Sequence, residues 1–206
     1  MSLFLNHCSR FASTSRAPIL RLSTIATPIL SSTRALSTSS PAFTDSTPTP
    51  AKPKPNPPLL GRYTKTPYEL FRINASKKVI LRDFVDQQKK GRSSYDLHVQ
   101  PDGLVHPRPG DTFDGPNGAS VRPNGAMMQE VVRNFRGKNT TIYRILPDRE
   151  LPDDLILLHE HTDHHSIQCR VPMTLKELNK KVTEFCIANG EEMTKEDFVK
   201  RYPFTV

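Results

Sequence analysis

Apolar positions in the second and third quarters of the chain follow two periods, and each predicts a different kind of element. Tyr68-Glu-Leu-Phe-Arg-Ile73 alternates, which predicts a first strand with Leu70 and Arg72 on one face. Ser76 then stands ahead of a stretch from Lys77 to about Lys90 that stops at Gly91, and this reads as a capped helix. Leu97–Gln100 and Leu104–His106 flank Pro101-Asp102-Gly103, the composition of a hairpin turn. Met128, Val131, Val132 and Phe135 fall at helical spacing, and Thr140–Leu146 alternates again as a strand.

The last third carries the clearest pattern. An apolar run, Leu155–Leu158, leads into a dense polar stretch, and an alternating run, Ser166–Val171, leads out of it. This reads as strand, polar loop, strand, with the loop at the edge of a small sheet. Thr174 and Glu177 form a capping box ahead of Leu175, Leu178, Val182 and Phe185. Asn189-Gly190 closes that helix, and Thr194 opens a short last one that ends before Pro203. Strands and helices mix without βαβ regularity, so the fold class is α+β: a small mixed sheet with flanking helices.

Composition divides the chain into three parts. Residues 1–44 are rich in Ser, Thr, Ala and Arg and contain no acid, as a mitochondrial transit peptide does. This disordered leader predicts engagement with the mitochondrial import machinery and a matrix location. Residues 45–58, with TPTPAKPKPNPP, read as a stiff Pro-rich linker, and 59–206 as the folded domain. The leader and linker hold six of the 29 Lys and Arg and one of the 21 Asp and Glu, so the net charge of +8 falls to about +3 for the domain. That is an ordinary surface and does not point to nucleic-acid binding. Cys8, Cys169 and Cys186 form no C-x-x-C pair and predict reduced thiols. No run reaches the length and apolarity of a membrane span.

The polar stretch offers two kinds of chemistry. His159, His161, Asp163 and His164 spell H-x-H-x-D-H, a nitrogen and oxygen set suited to zinc and the signature of metallo-β-lactamase-type hydrolases. In that reading His159 and His161 alternate on a strand toward one side. In those hydrolases, however, further histidines follow over a long second half. Here no histidine follows His165, so a two-metal site cannot be completed and no metal is assigned.

The second kind rests on a resemblance. Leu70-Phe-Arg-Ile73, Asp102-Gly-Leu-Val-His-Pro107 and Gly115-Pro-Asn-Gly-Ala-Ser-Val-Arg-Pro123 come in that order. Leu146-Pro-Asp-Arg-Glu-Leu-Pro-Asp-Asp-Leu155, Asp163-His-His-Ser-Ile167 and Pro172-Met173 follow them. Together these pieces resemble the Tse2-type ADP-ribosyltransferase toxin domain over Tyr68 to about Pro203. The resemblance implies NAD as substrate, cleavage of its nicotinamide bond, and transfer of ADP-ribose to an acceptor. The acceptor is a macromolecule or a small molecule of unknown identity.

It also implies roles for residues. Arg72 matches the arginine that contacts phosphate and ribose. The 115–123 loop supplies Asn117, Gly118 and Ser120 to the cofactor, with Ser120 in place of the central serine of the nicotinamide pocket. Ala119-Ser120 stands where the bacterial domain has Thr-Ser. The catalytic group is sought among Glu160, Asp163 and His164, none of them in an E-x-E or Q-x-E setting, with Gln168 as another stand-in. A toxin-type activity further implies a restraining inhibitor protein. Two other classes stay open: a metal-dependent hydrolase at the histidines, and a binding domain that kept the fold without turnover.

Overall fold

A computed structural model describes residues 55–204. The transit-peptide reading of residues 1–44 and most of the linker lie outside the described residues. The chain joins the fold just ahead of Leu59, where the Phe113 amide donates to the Pro57 carbonyl (2.8 Å) and Pro58 bridges Thr112.

The class is α+β. β1 (Gly61–Tyr63), β2 (Leu70–Asn74), α1 (Phe84–Lys89), β3 (Leu104–Val105), β4 (Ala119–Val121), α2 (Ala126–Asn134) and β5 (Thr141–Ile145) come first. Then follow β6 (Leu155–His161), β7 (His164–Cys169), β8 (Met173–Thr174), α3 (Leu175–Asn189), β9 (Gly190–Met193) and α4 (Lys195–Arg201). The strands form a four-stranded sheet in the order β1-β6-β7-β4, a three-stranded sheet β2-β5-β9, and the small pair β3-β8. Every named pairing is antiparallel. The two larger sheets meet at one bridge: the Phe71 amide donates to the Arg122 carbonyl (2.7 Å), and the Arg122 amide returns a bond to Phe71 (3.0 Å).

Packing explains why these elements form. Leu70, Tyr143 and Ile145 of one sheet and Leu155, Leu157, Ile167 and Cys169 of the other share a core with Leu178, Val182 and Phe185 of α3. A second cluster joins Phe71 and Ile142 to Met128 and Val132 of α2 and Phe198 of α4. The capping boxes hold. Thr174 accepts from the Glu177 amide and Glu177 answers to the Thr174 amide, and Thr194 with Asp197 repeats the device at α4.

Three expectations change. The helix over Lys77–Lys90 shrinks to α1, whose cap is Asp83 rather than Ser76. Residues before it run extended, because Val79 and Leu81 alternate into the core while Ile80 stays 71% exposed. Their amides donate to Thr183 Oγ1 and Asn179 Oδ1 of α3 (both 2.9 Å), so side chains replace a helical ladder. The turn at Pro101-Asp102-Gly103 forms, with Gly103 at φ 81° and the Gln100 amide donating to the Leu104 carbonyl (2.8 Å), but the strand pairing of Leu104–Val105 is with β8. Last, the polar stretch is no edge loop. It is the tip of the β6–β7 hairpin, in the middle of the four-stranded sheet.

Candidate active site

The β6–β7 hairpin sorts its polar residues by face. Strand alternation puts Leu155, Leu157, Ile167 and Cys169 toward the core. His159 and His165, opposite each other in register, stack on that side with ring centroids 4.0 Å apart. His165 is fully buried: its Nε2 lies 2.7 Å from the Tyr68 hydroxyl and its Nδ1 3.0 Å from the Asp163 carbonyl. Burial pushes the pKa of this imidazole down to about 4, so at neutral pH it serves as an uncharged brace.

The other face is polar. A bulge between His159 and His161 shifts the register, so Glu160 and His161 both come round beside His164. Glu160 is 1% exposed. Its Oε1 accepts from Ser166 Oγ (2.6 Å) and from Gln168 Nε2 (2.9 Å). Its Oε2 lies 2.7 Å from His164 Nδ1, but out of line for a hydrogen bond, so these two buried atoms lack an aligned partner among the described residues. His161 stacks on His164 at 5.0 Å and meets the edge of Phe113 at 5.1 Å.

A cleft of ≈ 420 Å³ opens where the two sheets meet. Arg72, Ser120, Arg122 and His164 line it, together with Lys78, Arg82 and Asp96. The volume is that of a small-ligand site. Arg72 is 8% exposed. Its Nη1 donates to the Ser120 carbonyl (2.8 Å) and its Nε to Asn74 Oδ1 (3.0 Å). Burial lowers its pKa below the ordinary arginine value, and the Asp96 charge works against that. Asp96 itself is gripped by Arg82 through two bonds of 2.8 and 2.7 Å. Arg72 is thus a buried cation with no ion-paired acid among the described residues, and its remaining donors stand beside the cleft.

The predicted site residues divide accordingly. Arg72, Ser120 and His164 come together on the cleft, and Glu160 stands directly behind His164. Asp163 is paired with Arg122, so it positions that guanidinium instead of offering a free carboxylate. Asn117 and Gly118 do not line the cleft. Asn117 is 3% exposed and donates to the His106 carbonyl (3.0 Å) and to Gln168 Oε1 (3.1 Å). At Gly118 a Cβ would lie 2.3 Å from the Ile167 carbonyl, so the glycine lets the chain run flush against β7.

The H-x-H-x-D-H set is not assembled as spelled, because the bulge sends His159 and His161 to opposite faces and Arg122 takes Asp163. Sequence reasoning gave no role to Arg122, Arg82 or Asp96. Arg122 lay within the quoted 115–123 piece, whereas nothing in the spacing of Arg82 and Asp96 marks them.

The family model of the Tse2 ADP-ribosyltransferase toxin matches residues 68–198, well over half of the chain. No curated protein matches, and no solved structure does. The matched span begins just ahead of Arg72 and includes the whole β6–β7 hairpin. The chain belongs to the Tse2 ADP-ribosyltransferase toxin family.

Proposed function

We propose that the cleft binds NAD, releases its nicotinamide and passes the ADP-ribosyl group to an acceptor. The observation that carries this reading is Arg72. Burying a guanidinium without an ion-paired acid is costly, and a doubly charged pyrophosphate is the ligand that repays the cost. Lys78, Arg82 and Arg122 add positive charge around the same opening. Ser120, whose backbone carbonyl Arg72 holds, also lines the cleft, and we assign it to the nicotinamide end of the ligand.

The reaction breaks the bond between C1′ of the ribose and N1 of the nicotinamide. The bonding pair leaves with the nitrogen, which becomes neutral, and positive charge develops on the ribose. A preorganised negative group near that ribose lowers the barrier. Glu160 and His164 supply it as a pair. His164 borders the cleft, and the Glu160 carboxylate behind it polarises the imidazole toward the developing cation. The acceptor nucleophile then bonds to C1′ and gives up its proton to the His164 ring, which lines the cleft. An acceptor of any class fits this scheme.

The test is nicotinamide release from NAD by the full chain, beside Arg72→Ala and Ser120→Ala. Release that Arg72→Ala abolishes and Ser120→Ala weakens supports the reading. Release by neither the parent nor the variants, with no NAD binding, refutes it. We place the protein in the mitochondrial matrix on the composition of residues 1–44. Import of the full chain by isolated mitochondria, lost on deleting that segment, checks this.

A further inference from the structure

The unaligned atoms behind the cleft have a chemistry of their own. Glu160 Oε2 and His164 Nδ1 face each other at 2.7 Å, and both are buried. Two lone pairs at that distance repel unless a cation sits between them, either a proton or a metal ion. The bulge that brings His161 round to this face adds a third donor, and one ligand atom from each of Glu160, His161 and His164 lies within 4.8 Å of the others. Two imidazoles and a carboxylate are a zinc donor set with one position left open.

The surroundings support a built site. Ser166 Oγ and Gln168 Nε2 both hold Oε1 of Glu160, which leaves Oε2 turned to His164. Phe113 walls the outer edge of His161. Ligand atoms around a tetrahedral zinc at 2.0–2.1 Å stand about 3.3 Å apart, so the Glu160–His164 pair, now at 2.7 Å, opens by roughly 0.6 Å while His161, within 4.8 Å, closes on the ion.

We infer that Glu160, His161 and His164 bind one zinc ion, and that the bound ion switches the cleft off. This set differs from the H-x-H-x-D-H spelling, since Glu160 enters while His159 and Asp163 drop out. The switching half rests on the proposed transferase reading. With zinc bound, the His164 ring is committed to the metal, and the Glu160 carboxylate no longer polarises it toward the ribose. Removing the ion restores the pair.

The experiment uses the full chain after chelation and dialysis. Cobalt(II) is titrated while its visible absorption is followed, and zinc is then added in competition. We expect one equivalent to bind, with His161→Ala weakening affinity about 100-fold, since losing a ligand costs no less than losing its outer support. His159→Ala, on the opposite face, leaves binding intact. His161→Gln replaces His161→Ala should loss of the ring beside Phe113 unsettle the loop, with thermal midpoints checking each variant. Equal binding by His161→Ala, or equal weakening by His159→Ala, overturns the site and leaves a shared proton as the cation.

In the second arm, one equivalent of zinc suppresses nicotinamide release by the parent but not by His161→Ala. Undiminished release by zinc-loaded protein overturns the switch. No release from the metal-free parent counts against the transferase reading and the switch with it, while the cobalt titration still decides the site.

Discussion

The two faces of the β6–β7 hairpin are built from the same two strands and solve opposite problems. On one, Leu155, Leu157, Ile167 and Cys169 pack into the core, and the two histidines there stack on each other and find polar partners through ring nitrogens. On the other, Glu160, Ser166 and Gln168 are just as deeply buried but hold polar atoms, one of which lacks an aligned partner. The first arrangement is what stability favours. The second carries a desolvation cost that packing alone does not justify. In the proposed function both that cost and the buried, unpaired arginine beside the cleft serve the chemistry.

The largest expected effect comes from replacing that arginine. Arg72→Met lowers nicotinamide release about 100-fold, the loss that follows when a clamp on the pyrophosphate is removed and the reacting bond is misplaced. Its thermal midpoint shifts little, because relief from burying a cation without an ion pair offsets the two hydrogen bonds lost at Ser120 and Asn74. A variant that loses activity only by unfolding would break the comparison. On the apolar face the order reverses. Leu157→Ala, at a fully buried position, costs about 2–5 kcal/mol in denaturant unfolding. Wherever the variant remains folded, its release rate stays close to the parent's.

The histidine pair on the core face sharpens the contrast through pH. His165 titrates near 4 when folded and near 6.5 when unfolded. Between those values the unfolded chain holds the extra proton, so stability rises with pH across that window and falls as the solution is acidified from 6.5 toward 4. The expected loss is on the order of 2–3 kcal/mol, and His165→Phe flattens that part of the unfolding-versus-pH curve. The smallest effect is Ser166→Ala. It removes one of two donors to Glu160 Oε1 and costs about 1–2 kcal/mol in thermal or urea unfolding. Because it loosens the carboxylate, it also reduces release several-fold.

How much of this was legible in the sequence depended on whether a signal was local. α3 and α4 were readable because Thr174 with Glu177, and Thr194, carry capping chemistry in their own side chains. β2 and β5 were readable from alternation. The segment 77–83 was not, since its extended form rests on Asn179 and Thr183, about 100 residues away in α3. The polar stretch was located correctly but given the wrong geometry. A spelling such as H-x-H assumes unbroken alternation, and one bulged residue exchanges which donors share a face.

The same limit applied to the site. Arg72, Ser120 and His164 were named by resemblance and do meet at the cleft, and Glu160 backs them. Asn117 and Gly118 were named with them, yet the chain between Gly115 and Ser120 turns those two toward β7. Which residues of a loop face a ligand is set by the strand beside it, here by how closely Gly118 approaches Ile167.

The central claim is that the Glu160–His164 pair completes an NAD-splitting site with Arg72. The most direct measurement is NAD binding and nicotinamide release by metal-free full chain and by Glu160→Gln, side by side. The account predicts that the parent binds and releases, while Glu160→Gln binds with similar affinity and releases at least tenfold more slowly. Release by Glu160→Gln at the parent's rate, or no NAD binding by a folded parent, would contradict it.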